Sequence, residues 1–315
     1  MIRNMKRFIV RYKIRNMIRN KKEKKKEEGF VINVRKNFLK FYALWRDESV
    51  KEIVRFYKKQ GKEIVELIDF TRAMQGISEG VESHIYLKTG EMVKKELLPM
   101  MVSASSTVHS AILRQVEKQK GMELNEVKQD TDKVLAYINE HAAELIEYLS
   151  EQQKKVIKEI LNKVVQNELS IYEAREMIEK TVGLTERETM WVLARYRAMV
   201  AEGLPSSRID LLISAFANNL LEARADRILR TELANAWENA SLETVRQLTK
   251  LEYIKEVIKS WETAADPRVC SICMANEEDG YIELEGVFSS GQERPPAHPS
   301  CRCTLFYKAK EGING

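Results

Sequence analysis

Residues 270–273 read Cys-Ser-Ile-Cys, and residues 298–303 read His-Pro-Ser-Cys-Arg-Cys. All four cysteines of the 315-residue chain lie in these two stretches. Two close pairs of sulfur and imidazole donors, brought together by a loop, form the donor pattern of a tetrahedral zinc site. The pattern therefore predicts that the C-terminal segment, which is too small and too polar to hold itself together, folds around a metal ion.

Five donor residues are available for the four coordination positions of such a site. Cys270, Cys273, His298 and Cys301 form one set, and Cys303 in place of His298 gives an all-thiolate set. The sequence leaves both sets open. Because four protein ligands leave no place for a catalytic water, we expect structural Zn²⁺. Disulfides and free buried cysteines are the alternatives, although disulfides are uncommon in the cytosol.

The residues before this segment predict long helices. Pro99 is the only proline before Pro205, and proline breaks helix interiors. Residues 170–173 and 185–188 are capping-box patterns, and Gly183 suits the left-handed position after a helix end. Apolar residues recur at spacings of three and four, as in Leu135, Ile138, Ala142, Leu145 and Leu149.

From residue 254 onwards, β-branched, aromatic and turn residues predict short strands and loops. The predicted fold is mainly α, with long helices in the N-terminal two thirds and a small α+β C-terminal domain that holds a Cys/His zinc knuckle. The predicted divisions are a basic amphipathic segment (1–28), a helical domain (29–182), a C-terminal domain (183–306, helical over 183–250 and α+β over 251–306) and a tail (307–315).

The charge of the chain is concentrated at its start. The net charge is +5, yet residues 1–28 alone hold 12 Lys or Arg and 3 Glu. Because this segment has no apolar secretory core, and no stretch of the chain reaches the roughly 18–20 apolar residues of a bilayer span, we expect a cytoplasmic origin.

The N-terminal segment combines apolar residues at helical spacing with basic ones, and so predicts a basic amphipathic helix. Such a helix can bind double-stranded DNA without sequence preference, through release of counterions. Contact with an anionic membrane, docking to an acidic groove of a partner protein and a solvated tail are the alternatives, and membrane contact is expected only through residues 1–28. The candidate nucleic-acid-binding residues are Arg3, Lys6, Arg7, Arg11, Lys13, Arg15 and Arg19.

Several motifs occur in a recognisable order over residues 183–306. They are Arg224-Ala225, Arg230-Thr231-Glu232, Trp261, Asp266-Pro-Arg268 and Pro295-Pro-Ala-His-Pro-Ser-Cys-Arg-Cys303. Their order and spacing resemble the phage Mu F-like head morphogenesis proteins, also called minor head or minor capsid proteins. Leu229 stands where the family pattern has a small residue, a departure that concerns helix packing.

The resemblance implies a protein present in few copies, attached to the portal vertex during procapsid assembly, which assists DNA packaging or ejection. The partners it implies are the portal protein, a scaffold or major capsid protein, and double-stranded DNA, without a small-molecule substrate. The implied location is the host cytoplasm during assembly and then the virion, in the capsid interior or at the portal vertex.

Glu283 and Glu285 have the spacing of the paired carboxylates in ADP-ribosyltransferase toxins, and on one strand both would point to one face. The same spacing occurs in any half-exposed strand, and the matching Arg and Ser-Thr-Ser elements are not evident. Arg230 and Glu232 do not face each other on a helix, which favours a structural role for that motif. We therefore predict no catalytic residues, with a toxin-like transferase or a metal-dependent nuclease as the alternative.

Overall fold

The computed structural model describes residues 30–70 and 78–309 of the chain. Within these residues, seven α-helices lie between the first strand and the three C-terminal strands of a small sheet, which confirms the mainly α prediction. A π-helical turn, Val93–Leu97, joins the second helix to the third. The helices are α1 (Arg35–Leu67), α2 (Glu79–Met92), α3 (Leu98–Lys120), α4 (Thr131–Val165), α5 (Ile171–Thr181), α6 (Glu186–Ala201) and α7 (Ser206–Lys250).

The predicted strands after residue 254 are present, together with a short helix that the sequence did not predict. The elements are β2 (Val257–Glu262), α8 (Ser271–Glu278), β3 (Tyr281–Glu283) and β4 (Thr304–Ala309). With β1 (Val31–Ile32) the strands form one antiparallel sheet in the order β1-β4-β2-β3. Lys259 in the middle of β2 lies opposite Tyr307 of β4 and Ile282 of β3.

Strand β1 joins the start of the described chain to this C-terminal sheet. One edge of β1 pairs with β4. On the other edge, the amide of Gln119 accepts from Val31 N at 3.1 Å and donates to Val31 O at 2.7 Å. Gln115, one turn earlier on α3, makes the same pair of bonds to Asn33 at 3.1 and 3.0 Å. Two side chains thus satisfy backbone groups that a neighbouring strand would otherwise bind.

The described residues fall into two compact units. The sheet unit comprises residues up to Tyr42, Val102–Val134 and Thr231 onwards, and the helical unit comprises Ala43–Met101 and Leu135–Arg230. The side chains of Ile32, Trp237, Trp261 and Tyr307 are buried in the sheet unit, and those of Tyr57, Ile64, Ile85 and Leu97 in the helical unit. The domain boundaries drawn from the sequence stay a prediction.

The predicted helix ends of the helical unit are present. Ser170 and Thr185 each cap a helix, and Glu173 and Glu188 complete the two capping boxes. Gly183 lies between these helices with a φ of +92°. An added Cβ there would overlap the ring of Tyr57, so this turn requires glycine for both its backbone angle and its close approach to the ring.

Helix α7 runs without a break from Ser206 to Lys250. Leu229, the departure from the family pattern, is fully buried, so the packing accommodates its larger side chain. Among the described helices, none combines the length and apolar character that crossing a bilayer requires.

We predict that Gly183→Ala destabilises the protein by about 2–4 kcal/mol, because left-handed strain and overlap with Tyr57 add. Gly203→Ala is the matched control, since Gly203 has a φ of +74° and no atom within 4 Å of an added Cβ. It should cost only the strain, about 1–2 kcal/mol. Urea unfolding followed by circular dichroism measures both, and equal losses would show that Tyr57 does not set the requirement.

Candidate metal centre

The first donor pair lies at the start of helix α8. Cys270 is the N-cap residue, in extended conformation, and Cys273 lies in the first turn. The sulfur of Cys270 accepts a hydrogen bond from Cys273 N at 3.4 Å. This local structure directs both sulfur atoms to the same end of the helix, and Cys273 is buried while Cys270 is half-buried.

The second donor group lies on the loop that leads into β4. A tight turn brings Cys301 N to within 3.1 Å of His298 O, and Ser300 adopts a φ of +60° inside it. The peptide bond before Pro296 is cis. The loop thereby presents His298, Cys301 and Cys303 within six residues, with Cys301 buried.

The structure brings the two donor groups together. The Nε2 atom of His298 lies 3.2 Å from the sulfur of Cys270 and 3.4 Å from that of Cys273. The sulfur of Cys273 lies 3.7 Å from that of Cys301. The donors form two groups of three, Cys270 with Cys273 and His298, and Cys273 with Cys301 and Cys303, within which all ligand atoms lie within 4.8 Å of one another. Cys273 belongs to both groups.

These residues fit a soft divalent metal ion. The separations of 3.2–3.7 Å match the ligand-to-ligand distances of about 3.5 Å that bonds of roughly 2.0–2.3 Å imply. His298 Nδ1 lies 2.9 Å from Pro299 O, which holds the proton on Nδ1 and leaves Nε2 facing the sulfurs. A backbone carbonyl on the second ring nitrogen is the common support of a metal-binding histidine.

The electrostatics of the cluster favour a thiolate. Hydrogen bonds from Cys273 and then Cys303 hold the pKa of Cys301 far below that of an ordinary thiol. The bond to Cys301 in turn raises the pKa of Cys273. The cluster therefore stabilises a negative sulfur at Cys301, which is the protonation state that a metal ligand needs.

Helix α7 holds the second donor loop at two points. The hydroxyl of Thr231 accepts from Ser300 N at 3.0 Å, within the turn between His298 and Cys301. About two turns further on, the carboxylate of Glu238 accepts from Thr304 Oγ1 at 2.6 Å and from Leu305 N at 3.0 Å. Burial raises the pKa of Glu238 to about 7. Sequence reasoning predicted a structural role for the Arg230-Thr231-Glu232 motif and missed Glu238.

Asp266 and Arg302 form a second support. Both oxygens of Asp266 accept from the Arg302 guanidinium, at 2.5 and 2.7 Å, and Asp266 also accepts from Arg268 at 3.1 Å. The bonds from Arg302 lower the pKa of Asp266 well below its usual range. Since Arg302 stands between Cys301 and Cys303, this pair fixes the loop beside the donors.

The remaining predicted residues lie elsewhere. The candidate DNA-binding residues between Arg3 and Arg19 fall outside the described residues. Strand β3 ends at Glu283, so Glu285 is not on the strand that the paired-carboxylate interpretation required. Glu285 instead pairs with Arg246, both of its oxygens lying 3.0 Å from Nε.

Together, the helices and the small sheet with its Cys/His cluster define a mainly helical protein with a C-terminal Cys/His module. Residues 192–306 match the family described as Phage Mu protein F like protein, so this part of the chain is similar to that family. The match suggests a phage head morphogenesis protein. No curated protein and no solved structure matches the chain.

Proposed function

We propose that this protein is a minor head protein that attaches to the portal vertex during procapsid assembly. The match to the Phage Mu protein F like family over residues 192–306 carries the proposal. The matched segment includes all five donors of the Cys/His cluster and the Thr231 and Glu238 contacts that hold the donor loop. A module supported in this way is a rigid unit suited to docking on another protein.

The exposed side chains around the cluster support docking through this module. Ile272 and Met274, on either side of Cys273, are 49% and 36% exposed, and Val287 is 58% exposed. Exposed apolar side chains of this kind can contribute to the apolar core of a protein–protein interface. We place the portal contact at the tip of α8 that carries Ile272 and Met274.

The portal contact is testable by co-expression with the portal protein of the same genome. The wild-type chain should co-purify with the portal, and the double substitution Ile272→Asp and Met274→Asp should reduce recovery at least tenfold, because charge at an apolar contact is left desolvated. Leu211→Asp is the matched control, since Leu211 is 69% exposed in the helical unit. Failure of the wild-type chain to bind the portal protein would contradict the proposed function. Equal binding by the Ile272→Asp, Met274→Asp variant and the Leu211→Asp control would contradict the proposed contact surface.

We also propose that the Cys/His cluster holds one structural Zn²⁺ ion. Its support is the donor chemistry, the short separations and the orientation of His298. The bound ion supplies folding free energy to a segment with few apolar residues and links α8 to the loop before β4. The residues of the chain hold the ion in a closed shell, which suits a structural rather than a catalytic role.

Native mass spectrometry under reducing conditions should find one zinc ion per chain. Cys273→Ser should abolish binding, because Cys273 belongs to both groups of donors. His298→Ala and Cys303→Ser then identify the fourth ligand, since the variant that retains zinc lacks the dispensable donor. Wild-type protein without zinc, or full zinc retention in Cys273→Ser, would contradict the proposal.

The third part of the proposal is that residues 1–28 contact packaged DNA. Its support is the excess of basic residues in this segment, 12 Lys or Arg against 3 Glu, because phosphate neutralisation releases counterions. Wild-type protein should bind duplex DNA with an affinity that falls steeply as the salt concentration rises. The logarithm of the binding constant should fall against the logarithm of the salt concentration with a slope of about −0.9 for each phosphate contacted.

Replacing the seven basic residues between Arg3 and Arg19 by Gln should remove most of that slope at unchanged chain length. Fluorescence anisotropy with a labelled duplex over a series of salt concentrations measures it. A duplex of unrelated sequence should give the same result. An unchanged slope in the Gln variant would refute the DNA role without affecting the portal proposal.

A further inference from the structure

The side chain of Arg35, at the start of α1, binds two backbone carbonyl groups of the C-terminal Cys/His module. Its Nη1 atom donates to Thr263 O at 2.6 Å, and its Nη2 atom donates to Arg302 O at 3.4 Å. Arg302 lies between Cys301 and Cys303, so the second bond ends on the backbone of the donor loop itself. The planar guanidinium presents its donors in a rigid fork, which suits it to join two acceptors.

Thr263, the first of these two partners, is attached to the helix that carries the other donors. It directly follows β2 and is fully buried. Its amide N donates to Glu277 of α8 at 3.1 Å, and its hydroxyl donates to the same carboxylate at 2.9 Å. Helix α8 carries the first donor pair at its N-terminal end. Arg35 therefore joins the two donor groups without using a donor atom, directly through Arg302 and indirectly through Thr263.

The start of the described chain is attached to the same place. Asn33 lies between β1 and α1, and its Oδ1 atom accepts from Arg35 N at 3.0 Å. Its Nδ2 atom donates to Glu262, the last residue of β2, at 3.1 Å. Strand β1 pairs with β4, which begins directly after Cys303. All these residues belong to the sheet unit, so a short series of contacts leads from β1 to the donors.

We propose that Arg35 positions the two donor groups for the metal ion, and that metal binding in turn holds β1 on the sheet. The inference rests on the metal site proposed above and names what that site regulates. Linked equilibria are reciprocal: a contact that raises the affinity for the ion is itself stabilised by the ion, by the same factor. Residues 1–28 precede β1 in the chain, so the ion also anchors the strand to which the basic segment is joined.

The first experiment measures the zinc affinity of the full chain by competition with a chromophoric chelator under reducing conditions. Arg35→Met should weaken zinc binding about tenfold, the lower end of the effect of groups that orient metal ligands. Lys36→Met is the matched control, since it removes the same charge from the next residue, which is exposed, and it should keep the wild-type affinity. Arg35→Lys keeps the charge without the fork. Its affinity should fall between the two, and it replaces Arg35→Met in the test should that variant fail to fold.

The second experiment measures hydrogen exchange of the backbone amides of β1 with and without zinc. Zinc should slow this exchange in the wild-type chain by about the factor that Arg35→Met loses in zinc affinity. In Arg35→Met saturated with zinc, the protection of β1 should be lost. A contact that only stabilises the fold would leave the exchange of β1 insensitive to zinc. The amides of α2, in the helical unit, should exchange equally with and without zinc, which distinguishes this effect from global unfolding.

The metal site and the role of Arg35 fail separately. Wild-type protein that binds no zinc contradicts the metal site. Zinc binding by Arg35→Met and Arg35→Lys that is as tight as in Lys36→Met would overturn the role of Arg35 alone. Exchange of β1 at one rate with and without zinc in a wild-type chain that binds the ion would do the same.

Discussion

Helix α7 holds the loop that carries three of the five donors, and the geometry of the Cys/His cluster depends on that attachment. Thr231 fixes the turn between His298 and Cys301, and Glu238 fixes the first two residues of β4. Because both contacts come from one rigid helix, the loop is held from each side of the cysteines. The loop held in this way places His298 Nε2 close to the sulfur atoms of Cys270 and Cys273 at the start of α8.

Polar side chains along α7 bind groups of the sheet and of the loop before β4. Thr231, Glu238 and Ser241 each have a partner in the sheet unit, respectively Ser300, Thr304 with Leu305, and Tyr307. Buried polar groups with partners orient the elements that they join.

Local signals in the sequence were reliable. The capping boxes at Ser170 and Thr185 and the left-handed Gly183 occur as predicted, because each depends on hydrogen bonds and backbone angles within a few residues. The five donors were identified for a similar reason, since the spacing of soft ligands is a local property. The helical start of α8 was missed because a Cys N-cap is not among the usual capping residues.

Taken alone, the sequence determined the mainly helical class, the helix ends and the identity of the candidate donors. Only the tertiary structure decided that β1 joins the C-terminal sheet, that Gln115 and Gln119 cover its free edge, and that Glu238 holds β4. It also decided that Glu285 pairs with Arg246 rather than standing beside Glu283. The physical reason is that these contacts join residues far apart in the chain. Neither hydrophobic periodicity nor a local motif indicates which distant residue such a side chain will contact.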